Sequence, residues 1–592
     1  MTKVQEQPLA RPVAATEPTP RAALPPERAV SGIPITRREV LLVCLAAVLL
    51  SLVMNWPVPA HLGSHIGEDL GDPVRTAWQV AWEGHAFLHQ PLHMYQANAF
   101  WPRANTFAFS DALFGYMPAA VVGTGVKAAI VRYNLLFLFS YALAFVGAYL
   151  LMRELRMRPL AAAVGGAAFA YAPFKLTMNG HLHVISSGGI PLALFFLVRG
   201  YRRRSARSAL IGWVIASWQL TLGFTLGLQL AYLLAGLAVL AGVLWWRAGR
   251  PELPRRLLVA TAVGGLLFAG VGLTQARPYL KISHQYDRAQ RSSEDIRKYS
   301  ASPKAFASAA PESRVWGGAT KGVRDTLASP NEQDQFPGLT ILALAAVGVF
   351  AGTVLTKRLR IGLAIAVAVV ALLSLGYGIF DGHLTYRLLV DYAPGWHGIR
   401  TPGRLVTLTS LGLAILAAAG AQRAIGLAAA RRGLYAALAV AGLCLGGVLI
   451  EGKGTMPDPA VPPAPPGLAG GPGPQLHLPT NAAFDRIYML WSVDSFPQIA
   501  NGTSTFGITS LDNLRTRMGS FPNRATVAEL RRMGIRTVFL HTKLQNYPIP
   551  RKYKRMHPTD TRAAARRPVT GLPVTRTRIG PTIRYDLRPA HG

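Results

Sequence analysis

The sequence is poor in charged residues, above all acidic ones, and in cysteine. Of its 592 residues only 15% are charged, and 28 Asp and Glu stand against 62 Lys and Arg. Because a soluble globular chain carries about 25% charged residues, this shortage argues against a soluble protein. Just two cysteines occur, Cys44 and Cys444, each inside an apolar run. This argues against a disulfide framework or a thiolate metal site.

Several functional motifs are also missing. No GxxxxGK[ST], HExxH or CxxC pattern occurs, which argues against ATP-driven transport and against a zinc protease. Charged residues are nearly absent from the apolar runs, which argues against an ion pathway through a bilayer. The formal charge of +34 would indicate nucleic acid in a soluble chain. Here we interpret it as loops held against anionic lipid headgroups, and we expect no nucleic-acid partner.

Long apolar runs are what the chain has instead. Hydrophobic residues make up 51% of it, and the mean hydropathy is +0.26. A helix needs about 20 apolar residues to span a bilayer, and on this basis we predict an all-α membrane domain over residues 39–450 with eleven spans. The predicted spans are 40–56, 135–152, 159–174, 184–198, two within 209–246, 257–274, 338–356, 361–380, 405–420 and 434–450.

The distribution of basic residues predicts the orientation of the spans. Loops 153–158, 199–207, 247–256, 357–360 and 423–432 each carry at least three Lys or Arg. Because cytoplasmic loops are enriched in these residues, we predict a multi-pass protein of the cytoplasmic membrane. The polar residues 1–38 would form a disordered cytoplasmic tail. The large loops 57–134 and 275–337 and the C-terminus would lie outside.

The C-terminal part of the chain is predicted to form a separate extracytoplasmic module. A Pro/Gly-rich linker over 451–475 precedes a small α/β module over 476–592. Within it, residues 523–534 are expected to be a helix with Asn523 as N-cap, and residues 535–541 a buried strand. From residue 551 onward 11 Lys and Arg oppose 2 Asp and Glu, and this basic tail is expected to be partly disordered. Residues 110–127 are amphipathic and are interpreted as an interfacial or re-entrant helix.

The first outer loop carries a concentration of carboxylates. Glu68, Asp69 and Asp72 occur within five residues just outside a predicted span. Carboxylates in this position suit a general base or a divalent-cation ligand. Asp72 precedes Pro73, which also fits a helix N-cap followed by the first helical residue. Further along the predicted helix come Glu83, an alternative acid, and His85, a candidate to line the site.

A resemblance links these segments to a known class. The stretch GDPVRTAWQVAWEGHAFL and then NAFWPRANTFAFSDALFGYMPA resembles the first outer loop of actinobacterial proteins of, or close to, the GT-C class of membrane glycosyltransferases. The similarity continues in HLHVISSGGIPLALFFL, PYLKISHQYDRAQRSSEDIRKYSA, NEQDQFPGL, RTPGRLVTL, ANGTSTF and RRMGIRTVFLH. It implies a polyprenyl-phosphate sugar donor and an essential acid in the first outer loop. The matching position is Asp72, with Glu68 and Asp69 as alternatives.

Basic and polar residues near other span ends complete the candidate site. Arg400 and Arg404 stand where the chain enters a span from the predicted outer face. Arginine forks bind phosphate bidentately, and a helix N-terminus adds favourable amide dipoles, so we predict that this pair binds the donor phosphate. Candidates to line the site are Lys175, His181 and His183, and Glu332 is a further alternative acid.

Together these features predict an inverting membrane glycosyltransferase that acts at the outer face of the cytoplasmic membrane. Its partners would be a polyprenyl-phosphate sugar, membrane lipids and a glycan, lipid or protein acceptor. A divalent cation is compatible with the carboxylates, but the sequence does not require one. Two alternatives from other classes stay open: a non-enzymatic protein that binds or flips lipid-linked glycans, and an envelope scaffold whose C-terminal module recruits a partner.

Overall fold

The chain folds mainly into α-helices, with one small sheet near its C-terminal end. The computed structural model describes residues 34–468, 470–544 and 559–587. The helices are α1 (Arg37–Met54), α2 (Asp72–His89), α3 (Met117–Ala120), α4 (Gly125–Glu154), α5 (Pro159–Ala170), α6 (Phe174–Thr177), α7 (Leu182–Ile185), α8 (Gly189–Arg202), α9 (Ala206–Leu220), α10 (Phe224–Arg247), α11 (Arg255–Gln285), α12 (Ser293–Tyr299), α13 (Trp316–Ala319), α14 (Lys321–Arg324), α15 (Pro330–Gln333), α16 (Leu339–Ala351), α17 (Lys357–Ser374), α18 (Tyr386–Tyr392), α19 (Val406–Gly452), α20 (Ala482–Trp491), α21 (Thr509–Arg517), α22 (Arg524–Arg532) and α23 (Thr561–Arg566).

Six helical segments in the described part of the chain are long and apolar enough to cross a membrane. They are Gly125–Glu154, Pro159–Thr177, Leu182–Arg202, Phe224–Arg247, Arg255–Gln285 and Pro402–Gly452. Each of the eleven predicted intervals falls mainly on helix, and the last two share α19, which is broken at Gly433 (φ 80°). A count of eleven crossings stays a prediction. Several helices expose apolar side chains, as lipid-facing surfaces do: Leu41, Leu45 and Leu49 on α1, and Ile361, Ile365 and Val369 on α17.

Glycines allow close contact between the backbones of α16 and α19. A Cβ atom on Gly348 would collide with the carbonyl of Leu416, and one on Gly420 would collide with the carbonyl of Leu344. Small residues let helix backbones approach closely, and in lipid this packing replaces the hydrophobic drive that water supplies. These contacts hold α16 against the first half of α19, which follows the turn that carries Arg404.

The segment between α1 and α4 folds around one buried helix, α2. Trp78 and Trp82 are buried on α2 and donate their indole N–H groups to Asn98 Oδ1 at 3.1 Å and to the carbonyl of Met94 at 3.0 Å. The expectation of one interfacial helix over residues 110–127 is wrong. A 3₁₀ turn, the four-residue α3 and a turn with Gly123 at φ 75° lie there instead, because glycine and proline interrupt the helical pattern.

The C-terminal module is built on a four-stranded sheet. Its strands are β1 (Gln475–Leu478), β2 (Thr537–His541), β3 (Val574–Ile579) and β4 (Thr582–Leu587), in the spatial order β1-β2-β4-β3. The β1–β2 pair is parallel and the other pairs are antiparallel. Asn523 caps α22 in a capping box with Thr526, as the sequence predicts. A small α/β module is therefore present.

The structure describes part of both flanks of this module. Part of the basic tail is folded, because α23, β3 and β4 lie beyond residue 558 and β4 pairs with β2. Residues 545–558 and 588–592 lie outside the described residues, as do residues 1–33 of the predicted N-terminal tail. The segment 451–475 is not a free linker. It forms β-bridges from Ala460 to His65 and from Gly454 to Ser313, so its backbone is held against two loops of the membrane domain.

Candidate active site

The first turn of α2 presents Asp72. The helix begins at Asp72 itself, with Gly71 as its N-cap, and no side chain caps it. Asp72 is therefore not the N-cap, contrary to the sequence-based expectation. Its carboxylate is free to form ion pairs: Oδ2 lies 3.1 Å from Nη2 of Arg75, and Oδ1 lies 3.1 Å from Nη2 of Arg486. The Nε2 atom of His181 lies 3.6 Å from Oδ2.

Arg486 reaches Asp72 from the C-terminal module. It lies on α20, whose first turn is fixed because Asn481 Oδ1 accepts the backbone N–H groups of Ala483 and Phe484, both at 2.9 Å. The module also contributes Ser504 and Thr505 to the same cavity. The site is thus shared between the membrane domain and the module. Sequence reasoning missed Arg486 because nothing local marks a contact with a residue 414 positions away.

A second ion pair lies in the 3₁₀ turn Pro402–Leu405, just before α19. Arg404 donates to Glu332 through Nε at 3.2 Å and Nη2 at 2.8 Å, and its Nη1 lies 3.0 Å from Nε2 of His183. His181 connects the two ion pairs, because its Nε2 atom is also 3.6 Å from Oε1 of Glu332. All three nitrogen arms of Arg404 are therefore directed at protein groups.

Asp111 is a third carboxylate that sequence reasoning did not single out. It belongs to the segment SDALFGYM, which the resemblance covers, but no spacing distinguishes it. Its Oδ2 atom lies 3.6 Å from Nε2 of His183. In the described residues, no Lys or Arg nitrogen lies within ion-pair distance of its carboxylate. It therefore differs from Asp72 and Glu332, which both have guanidinium partners.

These groups surround one cavity of about 170 Å³. Its charged and imidazole lining comprises Asp72, Asp111 and Glu332, then Arg75, Arg291, Arg400, Arg404 and Arg486, and finally His181 and His183. With neutral imidazoles the five arginines exceed the three carboxylates by two charges. The predicted residues Asp72, His181, His183, Glu332, Arg400 and Arg404 are thus brought together, and the cavity carries a net positive charge suited to an anionic ligand.

The three cavity carboxylates differ in pKa because their neighbouring charges differ. Burial alone would raise the pKa of Asp72, but the charges of Arg75 and Arg486 outweigh it and hold the pKa well below its usual range. Glu332 is similar: its pKa is lowered because Arg404 outweighs burial. For Asp111 burial prevails over the nearby arginines, and the pKa is raised. Asp72 and Glu332 are therefore ionised and weakly basic, whereas Asp111 is the stronger base.

Comparison with solved structures identifies the fold. The chain matches the class 1 cryo-EM structure of a mutant of arabinofuranosyltransferase AftD from mycobacteria with a TM-score of 0.50 and 15% identity, over 95% of this chain and 42% of that one. The class 2 structure of the same protein matches with a TM-score of 0.48 and 14% identity, over 95% of this chain and 42% of that one. The apo oligosaccharyltransferase of Archaeoglobus fulgidus matches with a TM-score of 0.43 and 13% identity, over 86% of this chain and 70% of that one. The fold is of the GT-C type.

These likenesses are structural only. No protein-family model matches the chain, and no curated protein sequence matches it. The chain spans less than half the length of the arabinofuranosyltransferase chains. The GT-C-type fold is that of multi-pass membrane glycosyltransferases, which agrees with the six long apolar segments.

Within this GT-C-type fold, two predicted acids contact the backbone and do not line the cavity. Asp69 Oδ1 accepts the Gly71 N–H at 2.7 Å, which shapes the turn before α2. Glu83 is fully buried and accepts the Leu113 N–H at 2.7 Å, and burial raises its pKa to about 8. Both residues therefore stabilise the backbone of the first loop.

Glu68, His85 and Lys175 also do not line the cavity. Burial, with the charges of Glu312 and Asp69, raises the pKa of Glu68 to about 8. The ring of His85 stacks on Phe496 at 4.2 Å between centroids. Lys175 donates to Ser187 Oγ at 2.7 Å inside the bundle. The structure thus does not bring these three residues to the cavity.

The carboxylates and imidazoles of the cavity are also potential metal ligands. Among the residues that the structure describes, no group of three or more His, Cys, Asp or Glu side chains is placed to hold a metal ion. Two of the three cavity carboxylates already have guanidinium partners. The donor set therefore does not fit a resident divalent cation.

Proposed function

We propose that this protein is a membrane glycosyltransferase that transfers a sugar from a polyprenyl-phosphate donor to an envelope acceptor at the outer face of the cytoplasmic membrane. The observation that carries the proposal is the single cavity that combines carboxylates with an excess of arginines. Acceptor activation needs a base, and a departing polyprenyl phosphate needs positive charge. The GT-C-type fold supports the reaction class.

In the proposed reaction, an acceptor hydroxyl attacks the anomeric carbon of the donor sugar. The new bond joins that carbon to the acceptor oxygen, and the bond from the anomeric carbon to the phosphate oxygen breaks. The electron pair leaves with the polyprenyl phosphate, and the hydroxyl proton passes to a carboxylate of the cavity. Because the acceptor attacks opposite the leaving group, the anomeric configuration inverts.

We assign the base role to Asp72, at the start of α2; the Nε2 atom of His181 lies 3.6 Å from its Oδ2 atom. The ion pairs with Arg75 and Arg486 keep Asp72 ionised, but they also weaken it as a base. Asp111 is the alternative that the cavity offers, because its raised pKa makes it the better proton acceptor. General-base catalysis contributes about 10²–10⁴-fold to a rate, so variants of the two residues separate the assignments.

The first test is genetic and chemical. A strain without this protein should lack one sugar linkage in its cell-envelope glycans, measured by mass spectrometry. The wild-type gene should restore the linkage, and a gene with Asp72→Asn should not. Restoration by Asp72→Asn but not by Asp111→Asn would reassign the base. Restoration by both variants would instead support the alternative function, a protein that binds or flips lipid-linked glycans.

A further inference from the structure

Three of the five cavity arginines form ion pairs with carboxylates, and two do not. Asp72 pairs with Arg75 and Arg486, and Glu332 pairs with Arg404. Within the described parts of the chain, Arg291 and Arg400 have no carboxylate oxygen within ion-pair distance. Both residues line the cavity, so their charges are accessible to a ligand there.

The fold holds these two arginines side by side. The backbone N–H of Arg291 donates to the carbonyl of His397 at 3.3 Å, which ties its loop to the loop that carries Arg400. The Arg291 guanidinium donates to the carbonyl of Thr505 at 3.1 Å and to its hydroxyl at 3.2 Å. Arg400 lies over the ring of Tyr299, 4.9 Å from its centroid. Burial, and then the positive charge of Arg400, lowers the pKa of Arg291 to about 10.

The positive charge of Arg400 disfavours the charged form of Arg291, and neither guanidinium forms an ion pair with a carboxylate of the described residues. The pair therefore suits an anionic ligand. We infer that Arg291 and Arg400 together bind the phosphate group of the lipid donor. The inference rests on the proposed function and deepens it. A polyprenyl-phosphate sugar carries one negative charge, the departing polyprenyl phosphate carries up to two, and two arginines match both states.

Arg404 then has a different role from the one that the sequence predicts. The sequence predicts Arg400 and Arg404 as the phosphate pair, but the three arms of Arg404 are directed at Glu332 and His183. Arg404 therefore orients these two side chains, and Arg291 takes its place as the second phosphate ligand. Arg291 lies in the segment HQYDRAQRSSEDIRKY, where sequence reasoning found no site residue.

Binding of a short lipid phosphate tests the inference without requiring transfer. The probe is farnesyl phosphate, titrated into the purified full-length protein in detergent, with farnesol as the uncharged comparison. Wild-type protein should prefer the phosphate. Arg291→Ala and Arg400→Ala should each weaken farnesyl phosphate binding by at least about tenfold and leave farnesol binding unchanged. Lysine at either position should restore part of the affinity, because the charge returns without the planar fork.

Two control variants separate this pair from its neighbours. Arg288→Ala removes an exposed arginine of the same loop that does not line the cavity, and it should bind like wild type. A double variant, Arg404→Met with Glu332→Gln, removes the neighbouring ion pair without leaving an unpaired charge, and it should keep the preference for the phosphate. Arg400→Ala should change the melting temperature of the ligand-free protein only slightly, because it removes no ion pair and loses only the contact with the Tyr299 ring.

The outcomes distinguish the two proposals. Equal binding of farnesyl phosphate by wild type, Arg291→Ala and Arg400→Ala would overturn the inference, as would a loss confined to the Arg404 double variant. Arginine-dependent binding in a protein whose deletion leaves envelope glycans unchanged would support the anion site and refute the transferase. If deletion removes an envelope glycan linkage but Arg291→Ala binds farnesyl phosphate like wild type, the transferase is supported and the anion site is refuted.

Discussion

Replacing Asp72 by Asn should lower both the stability and the activity of the protein. Because Gly71 is the N-cap of α2, the substitution does not act through helix capping. It removes the negative charge between Arg75 and Arg486. Hydrogen bonds to charged groups are worth about 1.5–3 kcal/mol, and removal of one partner leaves the other charge uncompensated.

The expected loss follows from the contacts at Asp72. Two contacts at 3.1 Å are affected, but the side chain is 23% exposed, so water replaces part of what is lost. Asn also keeps one carbonyl oxygen as an acceptor. We therefore expect a decrease in the free energy of unfolding of about 2 kcal/mol, near the middle of the range for one charged contact. Transfer activity should fall by at least about a hundredfold if Asp72 is the base.

The assay compares Asp72→Asn with Asp111→Asn in detergent-purified protein, by thermal unfolding and by transfer rate. Asp111 makes no contact with a charged group shorter than 3.6 Å, and its pKa is raised by burial. Its Asn variant should therefore melt at or above the wild-type temperature. A wild-type melting curve for Asp72→Asn would refute the ion-pair argument. Full transfer activity in that variant would refute Asp72 as the base.

Three further predictions test the topology, a buried acid and the module. In protein without native cysteines, an impermeant reagent should label Asn513→Cys but not Glu252→Cys in intact cells; the opposite pattern would invert the proposed orientation. The pKa of Glu83 is raised to about 8 from 4.5, so its contribution to stability falls as pH rises from 4.5 to 8, and Glu83→Gln should flatten that decline in melting temperature. Arg486→Ala should lower melting temperature and activity, whereas Arg517→Ala, which breaks an exposed ion pair in the same module, should change neither.

Sequence reasoning located the helices because apolar runs are a local signal. It failed at residues 110–127, where an amphipathic pattern with Pro118 and Gly123 was interpreted as one helix and the chain instead turns. It also assigned capping to Asp72, one position beyond the actual cap, Gly71. Composition does not locate a helix boundary to within one residue.

Some residues of the candidate site could likewise be predicted from the sequence, and others could not. His181 and Glu332 lie near the ends of apolar intervals, so a topology prediction already brings them towards one face. Arg486 belongs to the C-terminal module and reaches Asp72 in the membrane domain, whereas Arg291 belongs to the membrane domain and contacts Thr505 in the module. Such contacts carry no periodic signal, and only the folded chain reveals them. Glu83 was considered as an acid, and only its burial shows that it contacts the loop backbone instead.

The order of the strands determines which truncations of the chain would disrupt the cavity. Although β4 comes last in sequence among the four strands, it lies between β2 and β3 in the sheet. A premature stop codon just before Thr582 would keep every charged residue of the cavity, yet it would remove an interior strand and expose the edge of β2. The module would then no longer hold Arg486 and Thr505 in place. A scan of nonsense alleles should therefore find null phenotypes up to this last strand, far beyond the last residue of the cavity.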